Sequence, residues 1–531
     1  MRKHTWIIAG LLAAAMLSSN AFAAEKVFVY NLQTEPKTID PALNNTIAGS
    51  NIIYNIFEGL VRIGFNDKPE AGLAKSWDIS EDGLTWTFHL RDGLKWHDGS
   101  PLTADHFRYG FYRLLNAEVA SPYAFLGFCI KNAEKYYNGE CTAEEVGIKV
   151  IDDVTLQVTL EYCNPLMMDH LSYHVFYPAK PEVVEANPRS WTTTPETILC
   201  NGPFYLAEWK HNAEVTLKKN PYYWDADNVK LEEVRLVMIN DPNTALAAFR
   251  GGSLDFFKNL PTMSKAALLA SGEAQALGTL GVNFTVFNVD QKPFDDVRVR
   301  KAFALAIDRE MICKKVTMAG EQPATGYIPY NIPGPSSAKD FRSAAGKSYF
   351  SPNAQVEEAR KLLAEAGYPD GKGFPAVTYK YNTNENNKLI AEALQAMWKQ
   401  NLGVDVELYN EEWKVFLDTR RLRNFQLLRR GYLVDFCDPA SLFELYVGDY
   451  ADNYAGYKNA EYDRLVTAAR SEMDNDTRMG YFLKAEEILM DDMALLPINF
   501  DSTSYMINPR IKGIYLSPRD WDFFRGIEIV E

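Results

Sequence analysis

The stretch Arg429-Arg430-Gly431-Tyr432-Leu433-Val434-Asp435 sets a guanidinium and a carboxylate at the two ends of an apolar, strand-forming segment. Two such charges can meet the carboxylate and ammonium ends of a short extended chain while the main chain between them pairs with it. Six steps of extended strand reach at most roughly 20 Å, and side chains that lean inward shorten that span to a small peptide. The bland alternative is an Arg and an Asp that flank a buried strand as a solvated or paired structural set.

Hydrolytic or metal chemistry finds little support. His170 and His174 stand four apart, as two ligands on one helix face would. Leu171, however, holds the place where a metalloprotease needs its glutamate, so structural histidines are expected. No Gly-x-Ser-x-Gly elbow occurs, and Gly367-Tyr368-Pro369-Asp370-Gly371-Lys372 has neither the length nor the hydroxyl of a phosphate-binding loop. The reading is a binding protein with no catalytic residue, no metal and no cofactor. Aromatic residues make up 13% of the chain, enough to line side-chain pockets as well as to fill large cores.

The elements that must position these residues follow from periodicity. Asp78 to Lys95 reads as two strands joined at Glu81-Asp82-Gly83, with Trp86, Phe88 and Leu90 on one face. Ile148 to Leu160 forms a second β region that turns at Asp152-Asp153. From Asp295 to Asp308 the apolar period becomes helical, capped by Asp295 or Asp296. Pro352 to Ala366 is a further helix begun by Ser351-Pro352 and stopped by Gly367, Leu389 to Gln400 another, and Val404 to Tyr409 the strand after it. Helices alternating with strands over about 282–500 imply an α/β unit apart from the strand-rich beginning and end.

A chain of 531 residues exceeds one ordinary core, so two or three domains are expected. Met1-Arg2-Lys3, the apolar run Trp6 to Leu17 and Ala21-Phe22-Ala23 read as a cleavable secretory signal of Gram-negative type, with the mature chain starting at Ala24 in the periplasm. Loss of the two cations Arg2 and Lys3 takes the net charge from -15 to -17, which argues against nucleic acid or anionic lipid as partner. The six cysteines allow several pairings; Cys129 with Cys141 is the first expectation, Cys163 with Cys200 the second, and Cys313 a buried free thiol.

Leu90-Arg91-Asp92-Gly93-Leu94-Lys95-Trp96-His97-Asp98-Gly99-Ser100-Pro101-Leu102-Thr103-Ala104-Asp105 resembles the signature of the oligopeptide and dipeptide cluster of ABC-transporter solute-binding proteins. Phe57-Glu58-Gly59-Leu60, Asn201-Gly202-Pro203-Phe204, Lys219-Asn220-Pro221-Tyr222-Tyr223-Trp224, Asp296-Val297-Arg298 and Glu412-Trp413-Lys414 look like the same family, in the same order. The resemblance covers nearly the whole mature chain. It implies an α/β, two-lobed periplasmic-binding-protein fold of type II, cluster C, with an inserted subdomain in the first lobe. The implied layout is a signal peptide over 1–23, lobe I over 24–47, 191–281 and 501–531, its inserted subdomain over 48–190, and lobe II over 282–500.

By the same resemblance a peptide lies as a strand between Gln33-Thr34-Glu35 of lobe I and Gly431-Tyr432-Leu433 of lobe II. Asp435 falls on the carboxylate for the ligand ammonium, and Arg429 with Arg420 on the basic residues for its carboxylate. Trp413, Tyr432, Phe257 and Tyr123 match aromatic positions of the cavity. The chain departs from the pattern at Asn387, where relatives carry a His, at Thr317 for a Lys, at Val282 and Leu433 for a disulfide, and at Asp501 for an aromatic. The expected function is the receptor of an ABC importer for peptides of about two to five residues, tripeptide-sized above all. Murein tripeptide, a non-peptide solute or a chaperone-like role stand as alternatives. Expected partners are a short peptide and a membrane permease, with no nucleic acid, and the receptor is expected to be a monomer.

Overall fold

The computed structural model describes residues 26–434, 436–448 and 450–530. The expected leader and Asp435 lie outside the described residues. Among those described, no helix is long and apolar enough to cross a membrane.

One mixed sheet of eleven strands runs through both halves of the molecule. The first half contributes β1 (Val27–Asn31) and, outside this sheet, the antiparallel set β2 (Ala74–Ile79), β3 (Thr85–Leu90), β4 (Ile148–Asp152) and β5 (Thr155–Thr159). It then adds β6 (Phe204–Lys210), β7 (Glu214–Lys219), β8 (Glu233–Val237) and β9 (Phe256–Lys258). The long strand β10 (Gln275–Phe287) leads into the second half, which holds β11 (Gln322–Pro323), β12 (Val377–Asn382), β13 (Val406–Glu411) and β14 (Leu427–Leu433). A second long strand, β15 (Leu495–Ile507), returns the chain. The order across the sheet is β13-β12-β14-β10-β15-β9-β1-β8-β7-β6, with β11 paired to β15.

The buried apolar residues separate accordingly. One cluster is drawn from Leu280 through Phe500, another from Phe28 through Phe256 together with Ile511 through Ile527, and a small third packs Leu246, Phe257, Leu268 and Met506. The hairpin of β2 and β3 turns at Gly83, whose φ of 73° suits a residue without Cβ, and Trp86, Phe88 and Leu90 point into the first-half core.

β10 and β15 each run thirteen residues and pair antiparallel through both halves. Gly278 faces Ser502, but the next pair is Val282 with Phe500, so Thr279, Leu280 and Gly281 stand opposite Asp501 alone. Extra residues on one strand make a bulge, which bends the ribbon and interrupts its ladder. The main chain of Leu280 bonds elsewhere: its N–H donates to Pro518 O at 2.9 Å and its carbonyl accepts from Val434 N at 3.2 Å.

Several sequence expectations are corrected. The helix expected from Ser351-Pro352 begins at Val356, because Pro352 O accepts from Glu310 N at 3.0 Å and Gln355 N donates to Leu305 O at 2.8 Å. Tertiary contacts thus claim the main chain that the Ser-Pro start signal assigns to a helix. The helix placed at 389–400 spans Glu385–Leu402, capped by Asn384, which accepts from Asn387 N, and ended at Gly403 with φ 73°. The following strand occupies 406–411 rather than 404–409.

All six cysteines are free thiols, so neither expected disulfide forms. Cys129 Sγ turns to Leu126 O and Cys141 Sγ to Asn132 O, each at 3.6 Å, while Cys163 Sγ sits on Asp82 O at 3.2 Å. His174 is structural, as expected: Nδ1 meets Pro41 O at 2.8 Å and Nε2 meets Asn44, and burial pulls its pKa down to about 4.

Candidate functional site

Strand β14 carries the site. Leu427 and Leu428 are fully buried and anchor its first half, and beyond them the apolar content gives way to Arg429, Arg430 and Gly431. β14 pairs with β10 along its whole length, Leu427 with Phe287 through Leu433 with Gly281. The bond from Val434 N to Leu280 O sets the alternation, so Tyr432 and Arg430 turn their main-chain groups toward β10 while Gly431 and Leu433 turn theirs to the opposite edge. On that edge β12 pairs only at Leu427 and Leu428. Among the described residues no strand pairs with the stretch around Gly431 and Leu433 on that edge, and such an edge accepts an added strand through main-chain bonds.

Side chains alternate likewise. Arg429 folds over Gly431 and its Nη2 donates to Asn283 Oδ1 at 2.7 Å. A Cβ at Gly431 would stand 2.7 Å from both Arg429 Nη2 and Asn283 Oδ1, so glycine is what lets the guanidinium cross there. Asn283 Nδ2 in turn donates to Asp501 Oδ1, which also lies 3.5 Å from Asn499 Nδ2. Arg429, Asn283 and Asp501 therefore form one chain of polar contacts across β14, β10 and β15, beside the bulge. Burial raises the Asp501 pKa to about 6; Arg429 pulls it down, Glu321 pushes it up, and the two Asn donors lower it. Burial also lowers the Arg429 pKa, against the opposing pull of Asp501.

Arg420 does not join this group. Its guanidinium lies 4.7 Å from the centre of the Tyr454 ring, which Arg430 also approaches at 4.8 Å, and Arg430 is bound to Asp452 at 3.1 Å. Residues 429 and 430 point to opposite faces of β14, so Arg420 belongs with Arg430 behind the sheet and not with Arg429. The structure therefore does not bring the two arginines of the expected site together.

The main chain on either side of Asp435 is held tightly. Val434 is tied to Leu280, and after Asp435 the turn closes by Asp438 N donating to Phe436 O at 2.8 Å and Ser441 Oγ to the same carbonyl at 3.1 Å. Asp438 accepts from both Nη atoms of Arg478 at 2.6 and 2.7 Å and from Ala440 N at 2.9 Å. The Phe436 ring reaches the other half of the molecule, 5.8 Å from His170.

That contact borders a cavity of about 790 Å³ between the halves, with Asp67, Trp77, Met168 and Asp169 on one wall and Lys339, Cys437, Asp438 and Met479 on the other. Burial raises the Asp169 pKa to about 7, and Asp438 and Asp67 add to the rise while Arg519 and Arg478 oppose it. The periodicity and motif signals point to none of Asn283, Glu321 or Asp169; only the Asp438-Pro439 pair, a helix-start signature, was available for the Arg478 clamp.

The remaining expected residues divide. Gln33 adopts a left-handed φ of 71° and accepts from Asn259 Nδ2 at 2.7 Å, and Thr34 beside it is exposed. Glu35 is engaged within its own half, by His211 Nδ1 at 2.8 Å and Asn212 N at 2.9 Å. Tyr123 packs 5.0 Å from Tyr173, which lies 5.4 Å from Trp521. Trp413 is 48% exposed at the start of the helix Trp413–Arg421, stacked on Phe416 at 6.1 Å. Tyr432 and Leu433 are partly exposed on β14. Two residues lie inside the fold: Phe257 has no exposed surface and packs on Phe249 in the third cluster, and Asn387 is buried with its amide donating to Asn382 Oδ1 at 3.0 Å.

Residues 68–454 match the model of the bacterial extracellular solute-binding proteins, family 5. The chain is 36% identical to the dipeptide-binding protein DppE of Bacillus subtilis, over 93% of this chain and 90% of that one. It is 34% identical to the periplasmic oligopeptide-binding protein OppA of Salmonella typhimurium, over 96% and 95% of the two chains. Among solved structures, the unliganded open form of the periplasmic murein tripeptide binding protein MppA superposes with a TM-score of 0.84 at 31% identity, covering 96% of this chain and 98% of that one.

Proposed function

The chain belongs to the family 5 bacterial extracellular solute-binding proteins, and from that membership we propose that it is the capture receptor of an ABC importer for short peptides, tripeptides above all. The observation that carries the reading is the open edge of β14 at Gly431 and Leu433, flanked in sequence by Arg429 and Asp435. A peptide added there gains main-chain bonds without its side chains being read, which suits a receptor of broad specificity. Asp435 takes the ligand ammonium and Arg429 its carboxylate, so ligand length follows from the spacing of the two. A dipeptide-binding protein and a murein tripeptide binding protein among the similar chains support this size.

Capture proceeds by bending of the β10–β15 ribbon at its bulge, which brings Gln33-Thr34-Glu35 of the first lobe over the peptide held by the second. Bound ligand favours the closed arrangement by its differential affinity, and the closed form docks on the membrane permease. The likeness to an unliganded open form supports reading the present arrangement as the open one. No bond is made or broken in this cycle, and the receptor works as a periplasmic monomer.

Native mass spectrometry of the purified protein tests the reading. Retained masses of two- to five-residue peptides are the expected result. Cleavage products from added peptides would replace the receptor by a hydrolase, and displacement of a tripeptide by denatured protein would replace it by a chaperone.

A further inference from the structure

Arg429 is not a free cation awaiting a carboxylate. Its guanidinium is already bonded to Asn283, and Asn283 holds Asp501. Asp501 sits where three residues of β10 face it alone, and a Cβ at Gly281 would lie 2.8 Å from its Oδ2, so the carboxyl is wedged against the bend. The charged and titratable groups around it come from each neighbouring element: Arg429 on β14, Glu321 just before β11, and Cys313 on the helical turn Ile312–Thr317, with Tyr379 of β12 close to Arg429. Glu321 is fixed by Thr317 Oγ1 at 2.9 Å and Ala319 N at 3.0 Å, so its charge cannot swing away.

We infer that Asp501 is a proton-controlled competitor of the ligand carboxylate for Arg429, and therefore a determinant of how strongly the receptor prefers free-acid peptides. This rests on the peptide-receptor reading above. With Asp501 ionised, Arg429 faces a resident negative charge, and a second carboxylate brought to it meets the repulsion of Asp501 and Glu321. With Asp501 protonated, the Arg429 charge is uncompensated and the ligand carboxylate takes it. Binding a free-acid peptide raises the proton affinity of Asp501, so capture draws a fraction of a proton, at most about one half for one pK unit of coupling, from solvent onto the Asp501 carboxylate and release returns it. The Asp501 pKa of about 6 places the change between roughly pH 5 and 7.

The test is calorimetric titration of trialanine and trialanine amide into the full chain, at pH 5.5 and pH 8 and in two buffers of different ionisation heat. The amide cancels effects of the ligand amino terminus and of Asp169, which act on both peptides alike. The acid-to-amide affinity ratio should rise about tenfold from pH 8 to pH 5.5, the size of one pK unit of coupling, with proton uptake for the acid alone. In Asp501→Asn the ratio should stay high and flat, and in Glu321→Gln the midpoint should move to lower pH because a charge that raises the Asp501 pKa is gone. A flat ratio in the unaltered protein, or an unchanged slope in Asp501→Asn, overturns the inference while peptide binding stands. No binding of either peptide at either pH removes the receptor reading, and this inference with it.

Discussion

Arg478 and Asp438 are joined by two parallel hydrogen bonds, at 2.6 and 2.7 Å, with both side chains buried. Through that fork the long helix Asn475–Asp492 grips the turn that follows β14, so the residues after Asp435 are set by a rigid element and not by a loop. Planar guanidinium and carboxylate match in geometry, which Lys would not reproduce.

Arg478→Ala should leave the Asp438 charge stranded and destabilise the protein by about 3–5 kcal/mol. Urea denaturation at pH 7.5 checks the size. Peptide affinity should fall with it, and full affinity in a destabilised variant would detach the clamp from the site.

Asp435→Ala should weaken peptides with free amino termini by about 2–5 kcal/mol and change amino-acetylated ones little. Arg429→Ala should do the same for free acids against amides. Isothermal titration with the four matched tripeptides reads both, and equal losses across a matched pair would remove the assigned role.

Gly431→Ala should keep the fold and lose carboxylate discrimination, since the new Cβ would crowd Arg429 Nη2 and Asn283 Oδ1, each 2.7 Å away. Thermal midpoint and the acid-to-amide affinity ratio separate the two effects. A variant that discriminates as the parent does would show that the guanidinium does not need its path over position 431.

Asp501→Asn should raise stability at pH 8 and leave it nearly unchanged at pH 4. The native pKa of about 6 lies above the 3.8 of a free carboxyl, so the native state holds the proton more tightly. This group therefore favours folding most at low pH, loses that contribution as pH rises from 3.8 to 6, and above 6 remains an ionised, part-buried carboxylate at a cost on the order of 3 kcal/mol. Denaturant midpoints of both proteins across pH 4–8 measure it, and parallel curves would mean the carboxyl is not disfavoured in the fold.

The sequence carried the elements whose evidence is local. The turn at Glu81-Asp82-Gly83 and the alternation after it yield the β2–β3 hairpin, and Asp296 caps its helix by accepting from Arg298 N at 2.8 Å. What it could not carry is set by distant partners. Ser351-Pro352 is a good start signal, overruled by bonds to Glu310 and Leu305 that no local pattern contains. In the site, the charges of 429 and 420 are plain to read, but the face each occupies depends on where Tyr454 returns, some thirty residues on. Phe257 matched a family position yet lies under the helix Pro242–Arg250, a fact of layer packing. The link from Asn283 to Asp501 joins residues more than two hundred apart and has no sequence signal.

The two lobes are tied by a pair of hydrogen-bonded strands and not by slack linkers. In the closing motion proposed above no coil has to be frozen, so the conformational entropy lost on capture would be confined to the ligand and a few rotamers at its rim. Such a joint behaves as a creased leaf spring, and a Cβ at Gly281, which would press on Asp501 at 2.8 Å, should stiffen the crease and slow opening and closing together.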